Sequence, residues 1–307
     1  MKRSPEPASE KGLAWQQEVF RYLEGLASRR IAERQAPAEK AAADSDLATV
    51  PVSSGVREFD ARLGGGFFPG LWMIVGEPGA DKTTFLESVA WEAVAYHRAV
   101  VYYALIEGAE AVRERLHGIL AFIMADGGDS TPSGHAERRS DSERVADLDP
   151  TVWPAVFSRV WVVDSLPAGP EPVSAFLRSL ERTLGDVASR VGLVPVVLID
   201  DLATLLGGLG VESAMGAARV IAGLDGALVR SASAGLMAAV PELSTLLSPS
   251  EKAKAKELVQ LGHGRIELLS RSPLRLDVTI HENPHATWRG TLPLVLHSSV
   301  GVFTLAV

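Results

Sequence analysis

Apolar positions in this chain come in short unbroken runs separated by stretches with helical spacing. Leu71-Trp72-Met73-Ile74-Val75, Val100 to Ile106, Val160 to Val163, Val194 to Ile199 and Gly235 to Val240 have the length and continuity of strands buried on both faces. Between them lie helix-like segments at Phe85–Ala90, at Ala109–Leu116, and at Val173–Leu184, where Phe176, Leu177, Leu180 and Leu184 share one face. Strand and helix alternate, which predicts a parallel sheet. Towards the end the pattern changes: Arg265–Leu269, Leu274–Ile280, Thr291–Leu296 and Val302–Leu305 read as hairpin-connected strands. The expected architecture is α/β, a mostly parallel twisted sheet flanked by helices with C-terminal antiparallel hairpins.

The start of the chain stands apart. In residues 1–34, Leu13, Val19, Phe20, Tyr22, Leu23, Leu26, Ala27 and Ile31 make one amphipathic helix with a single apolar stripe. Such a stripe must pack on its own domain or on a neighbouring subunit. Residues 35–49, rich in Ala with Glu39, Lys40 and Pro37, read as a linker, and 50–307 as the core. Within the core, 126–149 is polar, glycine-containing and almost without large apolar residues, so it is expected to be a mobile insertion.

Composition narrows the function classes. The chain has 307 residues, 47% hydrophobic and 22% charged, enough for one large core. No apolar run approaches the ~20 residues of a membrane span. Met1-Lys2-Arg3-Ser4-Pro5 leads into polar residues and not an apolar signal region, so the cytoplasm is the expected location. Cysteine is absent, which removes disulfides and thiolate metal sites. A net charge of -8 argues against a uniformly basic surface but allows a local basic channel.

The candidate chemistry centres on Gly76-Glu77-Pro78-Gly79-Ala80-Asp81-Lys82-Thr83-Thr84, between the first apolar strand and a helix. This is the context of a phosphate-binding P-loop, in which backbone N–H groups and a helix N-terminus cradle phosphates, a lysine reaches the terminal ones and a hydroxyl holds Mg2+. Against G-x-x-x-x-G-K-[ST], Gly76, Lys82 and Thr83 fit, whereas Asp81 occupies the place of a glycine. Two further carboxylate positions follow strands: Glu107 after Val100–Ile106, and the pair Asp200-Asp201 after Val194–Ile199. Open α/β sheets bind ligands at that edge. Glu107 is alternatively a solvated residue opening the helix at Ala109.

Ser54-Gly55 through Asp60, Leu63-Gly64-Gly65-Gly66 and Pro69-Gly70, then an apolar strand and the P-loop, form an ordered series. It resembles the entry to the RecA-like ATPase core of DnaB-type replicative helicases, RadA and KaiC. The resemblance spans about residues 50–307 and implies a P-loop NTPase with ATP and Mg2+ as cofactors. It places Gly76, Gly79, Asp81, Lys82, Thr83 and Thr84 around the nucleotide. Asp200, the residue directly after the apolar run, is implied to hold Mg2+ through water opposite Thr83, and Glu107 to polarise the attacking water. Catalysis would rest on Glu107 and Lys82.

In such proteins two segments line the channel of a ring. Here they are Thr204–Ala217, glycine-rich and without a basic residue, and Ser244–Leu258, with Lys252, Lys254 and Lys256. The three lysines either contact the phosphates of single-stranded DNA or belong to a solvated helical turn with local ion pairs. No aromatic residue interleaves with them, so a base-stacking platform is not indicated.

The sequence departs from the resembling families at three charge-handling positions. One is Asp81. The second is Glu242, where the helicases place a serine–glutamine pair. The third is the first turn of the C-terminal strands, Ile280–Gly290, where the families carry a lysine and an arginine reaching the ATP of the adjacent subunit; here only Arg289 could substitute. His281 and His285 are four apart in that Pro-containing turn, without the clustered ligands of a metal site.

The expected function is therefore an ATP-binding, oligomeric RecA-like protein, assembled through the N-terminal helix and the core, that acts in DNA replication, recombination or repair. The alternative is a degenerate module with weak or no hydrolysis, used for binding and assembly, or as a KaiC-like regulator of protein partners.

Overall fold

In the computed structural model the described residues are 51–95, 98–125, 158–191, 194–240, 258, 260–297 and 302–306. The N-terminal helix and linker, the 126–149 insertion, Glu242, and Lys252, Lys254 and Lys256 lie outside them.

A short helix α1 (Arg57–Leu63) precedes β1 (Gly70–Gly76), which the P-loop joins to α2 (Lys82–Ala95). Then come β2 (Val100–Tyr103), α3 (Ala109–Ala125), β3 (Val160–Val163), α4 (Pro172–Val191) and β4 (Val196–Ile199). Next are α5 (Leu202–Gly208), α6 (Ala214–Arg230) and β5 (Ala234–Ala239), followed by β6 (Gly264–Ser272), β7 (Arg275–Glu282), β8 (Gly290–His297) and β9 (Val302–Leu305). One sheet takes all the strands in the order β3-β2-β4-β5-β1-β6-β7-β8-β9. Pairing is parallel from β3 through β6 and antiparallel from β6 to β9. The expected α/β architecture is thus observed, parallel half and hairpins included.

The continuous apolar runs form strands buried on both faces because helices cover both. On one face Trp72, Ile74, Tyr102, Leu198 and Leu236 pack against Phe85, Leu86 and Val89 of α2 and Val112 and Leu116 of α3. On the other, Leu71, Met73, Val101, Val197 and Met237 meet Phe176, Leu180 and Leu184 of α4 and Val220, Ile221 and Leu224 of α6. Helix α2 has no polar face: Glu87, Ser88 and Glu92 are as buried as their apolar neighbours. Trp72 fills the centre of the first layer, and β6 meets it with a glycine, since Gly264 pairs with Trp72 in register. A Cβ at Gly264 would lie 2.4 Å from Trp72 Cε3. Gly264→Ala is accordingly expected to cost about 1–3 kcal/mol of stability by overpacking, read as a lower urea midpoint with an unchanged slope.

Two expectations need correction. Thr204–Ala217 is not a glycine-rich loop throughout. Asp201 caps α5, its Oδ2 accepting from Thr204 N at 2.6 Å and Thr204 Oγ1 at 2.7 Å. Leu202, Leu205, Leu206 and Leu209, spaced for a helix, are all buried, and that burial outweighs the poor helix propensity of the glycines. The chain then turns through Gly210, at φ 65°, before Ser213 caps α6.

The second concerns the C-terminal turns. Strand β6 runs parallel to β1 with Leu268 opposite Gly76, so its end reaches the P-loop edge. The first turn is therefore Pro273-Leu274 at that edge, between Arg271 and Arg275. Ile280–Gly290 spans the second, at the opposite edge near the start of β1. There Asn283, 2% exposed, donates through Nδ2 to Leu63 O at 3.0 Å and accepts from His285 N at 2.9 Å. The sequence pattern marked the strands correctly but carried no signal for the direction of each hairpin.

Candidate functional site

Because β1, β2, β4 and β5 are parallel, their C-terminal ends share one edge of the sheet. The P-loop, Glu107 and Asp200 all emerge there, as open α/β sheets require of a ligand site. The P-loop, Glu107 and Asp200 therefore share one edge, whereas the turn holding Arg289 lies at the other.

The loop itself is tightly constrained. Gly76 is glycine for a packing reason: a Cβ would come within 2.8 Å of Leu268 O and 2.9 Å of Ala80 Cβ. Gly79 has φ 81° with open space around the missing Cβ. Asp81 also takes a left-handed backbone, φ 52°. That is the conformation for which the motif uses glycine, and aspartate is among the few other residues that adopt it at modest cost. Asp81 O accepts from Phe85 N at 2.9 Å and so starts α2 as a glycine would. Asp81 thus takes a backbone conformation open to glycine and adds a carboxylate to the loop.

Lys82 Nζ donates to Gly76 O at 2.7 Å and Glu77 O at 2.8 Å, folding the side chain back over the loop. Burial lowers its pKa, opposed by Asp201, Glu77 and Asp81. Burial likewise raises the pKa of Asp81, which Lys82 partly offsets. Thr83 and Thr84 stand in the first turn of α2, half-buried.

Asp200 is 3% exposed, and its carboxylate is turned towards the loop after β2. Oδ1 accepts from Leu105 N at 3.0 Å and Oδ2 from Ile106 N at 3.4 Å. Burial pushes its pKa up to about 6 despite those two amides, with Asp201 and Glu107 adding to the rise. Asp200 therefore fixes the backbone that leads directly to Glu107. Asp201, beside it, is the acidic neighbour that acts most strongly on Lys82.

Glu107 pairs with Arg115 Nη1, and Arg115 Nε donates to Glu87 Oε1 at 2.7 Å. Glu87 is 3% exposed, and burial raises its pKa to about 7 against the opposing charge of Arg115. Neither Arg115 nor Glu87 was singled out from the sequence. Their only signals were a carboxylate following the apolar pair Phe85-Leu86 in α2 and an arginine eight residues after Glu107.

Arg289 is occupied by its own turn: Nη1 donates to Ala286 O at 2.6 Å and Trp288 O at 2.9 Å, and Nη2 to Asn283 O at 2.9 Å. His281 pairs with Glu267 at 2.6 Å, whereas His285 Nε2 lies 2.9 Å from His263 Nε2. Among the described residues no group of three or more His, Cys, Asp or Glu side chains is arranged to hold a metal ion.

The donor set suits a nucleoside triphosphate with Mg2+. The amides at the start of α2, the Lys82 ammonium and the Thr83 hydroxyl match the needs of phosphate oxygens and their metal. Asp81 opposes them by its charge, and a phosphate must first draw Lys82 from two carbonyl oxygens.

Comparison with known proteins agrees with this geometry. No protein-family model matches the chain. Over 149 residues, 48% of its length, the chain is 30% identical to the DNA repair protein RadA of Mycobacterium tuberculosis, in two strains. It spans only 29% of the length of those relatives. Among solved structures, an ATPase domain is similar over 90% of this chain and 99% of its own, with TM-score 0.62 and 16% identity. A DnaB-like replicative helicase is similar over 96% of this chain and 76% of its own, with TM-score 0.60 and 16% identity. For a KaiC-like protein from Pyrococcus horikoshii the figures are 84%, 100%, 0.53 and 16%. With its sheet order and its strand–loop–helix phosphate motif, the chain has a RecA-like P-loop NTPase fold, shared with these ATPase-domain, DnaB-like and KaiC-like structures.

Proposed function

We propose that this chain binds ATP with Mg2+ at Gly76–Thr84, with an affinity weakened by Asp81, and acts as an oligomeric RecA-like protein in DNA replication, recombination or repair. The observation that carries this reading is the left-handed backbone at Asp81, with Lys82 and Thr83 at the start of α2 on the sheet edge where Glu107 and Asp200 also emerge. In this reading Lys82 holds the terminal phosphates, Thr83 and Asp200 hold Mg2+, and Glu107 orients the attacking water. Lys252, Lys254 and Lys256 neutralise DNA phosphates. The DNA assignment draws on the likeness to a DNA repair protein and to a replicative helicase fold.

Calorimetry with Mg-ATP tests the site directly. Lys82→Ala is expected to weaken binding at least about tenfold, since it removes the ammonium from the phosphate cradle. An unchanged affinity would place the nucleotide elsewhere. Hydrolysis stimulated by single-stranded DNA, with an affinity for DNA that falls as salt rises, would support the DNA role. A salt-insensitive affinity would exclude the three lysines from phosphate contacts.

A second reading is favoured by one observation. Arg289 spends its donors on carbonyls of its own turn, at the sheet edge opposite the P-loop. That suits a degenerate module, for binding and assembly or as a KaiC-like regulator of protein partners, in which nucleotide occupancy matters more than turnover. Tight Mg-ATP binding without DNA-stimulated hydrolysis would favour it.

A further inference from the structure

The side chain that joins the two halves of the candidate site is Arg115. It stands on α3, and its guanidinium reaches two carboxylates on different elements: Nε donates to Glu87 Oε1 on α2, and Nη1 to Glu107 on the segment after β2. Glu87 lies four residues after Thr83, one turn along the helix whose first residues form the phosphate cradle. The P-loop helix and Glu107 are therefore connected through one planar group. A guanidinium has a rigid fork of donors, so displacing one carboxylate changes the direction in which the other is held; an ammonium, a point charge on a flexible stem, transmits no such direction.

Two more observations locate this junction. Asp200 fixes the amides of Leu105 and Ile106, leaving the Glu107 side chain as the next adjustable element. Among the described residues, the Tyr102 hydroxyl and Arg115 Nη2 are buried without a hydrogen-bond partner, and Tyr102 feels the charges of Glu87, Asp200, Arg115 and Glu107. Buried donors without acceptors are costly. The cluster in this conformation thus has donors that another placement of its carboxylates could satisfy.

We propose that Arg115 is a positioning residue for Glu107, tying it through Glu87 to the P-loop helix, so that occupation of the phosphate cradle is transmitted to the carboxylate that faces the attacking water. The inference rests on the nucleotide reading given above. Arg115 touches no phosphate in it; the effect on chemistry passes through Glu107.

The test uses the full chain and Mg-ATP, with affinity by calorimetry and kcat by single-turnover hydrolysis. Arg115→Ala is expected to lower kcat about tenfold or more while Kd stays within about threefold, because misplacing a reacting group costs rate and not ground-state binding. Arg115→Lys, which keeps the charge but not the fork, should recover little of the loss, and Glu87→Gln combined with Arg115→Ala should add little to Arg115→Ala alone. Equal loss of affinity and rate, or loss of neither, overturns the proposal. Wild-type protein that binds no Mg-ATP overturns the nucleotide reading instead. In that case, and equally where wild type binds Mg-ATP without turning it over, the linkage is decided by hydrogen exchange at the amides of 105–108. At least about tenfold faster exchange in Arg115→Ala, with the sheet still protected, supports it; unchanged exchange refutes it.

Discussion

Asp81→Gly is expected to tighten Mg-ATP binding by about two decades. A unit negative charge ~5 Å from a phosphate oxygen, at an effective dielectric of ~20, costs about 3 kcal/mol, which is roughly a hundredfold in affinity. The backbone does not offset this gain. Residue 81 is at φ 52°, which glycine adopts freely, so the substitution should leave the loop in place. Glycine also removes one of the three carboxylates that hold up the pKa of Lys82, leaving Asp201 and Glu77 to oppose its lowering by burial. The pH dependence supplies a control. Burial already raises the pKa of Asp81, and an adjacent phosphate raises it further. Protonation removes the repulsion, so the wild-type affinity should improve relative to that of Asp81→Gly as pH falls. Calorimetry of both proteins between neutral pH and about pH 5, towards the ordinary carboxylate range, should show the gap narrowing at the lower pH. A constant gap would assign the penalty to shape and not to charge; no gap would mean that the phosphates avoid residue 81.

Glu87→Gln should remove a large pH dependence from the stability of the fold. Glu87 has a folded pKa of about 7 against an ordinary value of 4.5, the rise caused first by burial. A carboxyl group raised in the folded state favours folding when protonated. Its contribution is fully present below about pH 4.5 and is lost as pH rises through about 7. The shift corresponds to about 3 kcal/mol across that window. Glutamine keeps an oxygen for Arg115 Nε and never ionises. The variant should therefore be about 2–3 kcal/mol more stable than wild type at about pH 8 and nearly equal to it at about pH 4.5, by urea denaturation with matched slopes. Parallel stability curves would show that Glu87 is ionised without cost, and that Arg115 compensates its burial fully.

The contrast between these two residues shows what was legible in the sequence. Asp81 was visible because it interrupts a motif with fixed spacing, and the structure adds only that its backbone behaves as a glycine would. The strands were visible because parallel strands covered on both faces have to be apolar throughout, as Met73-Ile74-Val75 and Val197-Leu198-Ile199 are. Glu87 and Arg115 were not, since an isolated carboxylate and an isolated arginine acquire meaning only when α2 and α3 lie side by side on β2. Similarly, Thr204–Ala217 looked like a loop from its glycines, yet the leucine spacing and the Asp201 cap decided its conformation. The orientation of the C-terminal hairpins depended on β6 joining β1 in parallel, a long-range pairing that no local pattern encodes.

That same pairing has a kinetic consequence. Gly70 finds its partner at Ala234, and Trp72 at Gly264, so β1 is flanked on both sides by strands far along the chain. Until those contacts form, α2 has no sheet on which to bury its apolar surface, and Gly76 has no Leu268 carbonyl to pack against. Contacts this distant close slowly, because the entropy of the intervening chain must be lost first. The phosphate loop, although early in sequence, is thus expected to be among the last parts of the molecule to acquire its shape during folding.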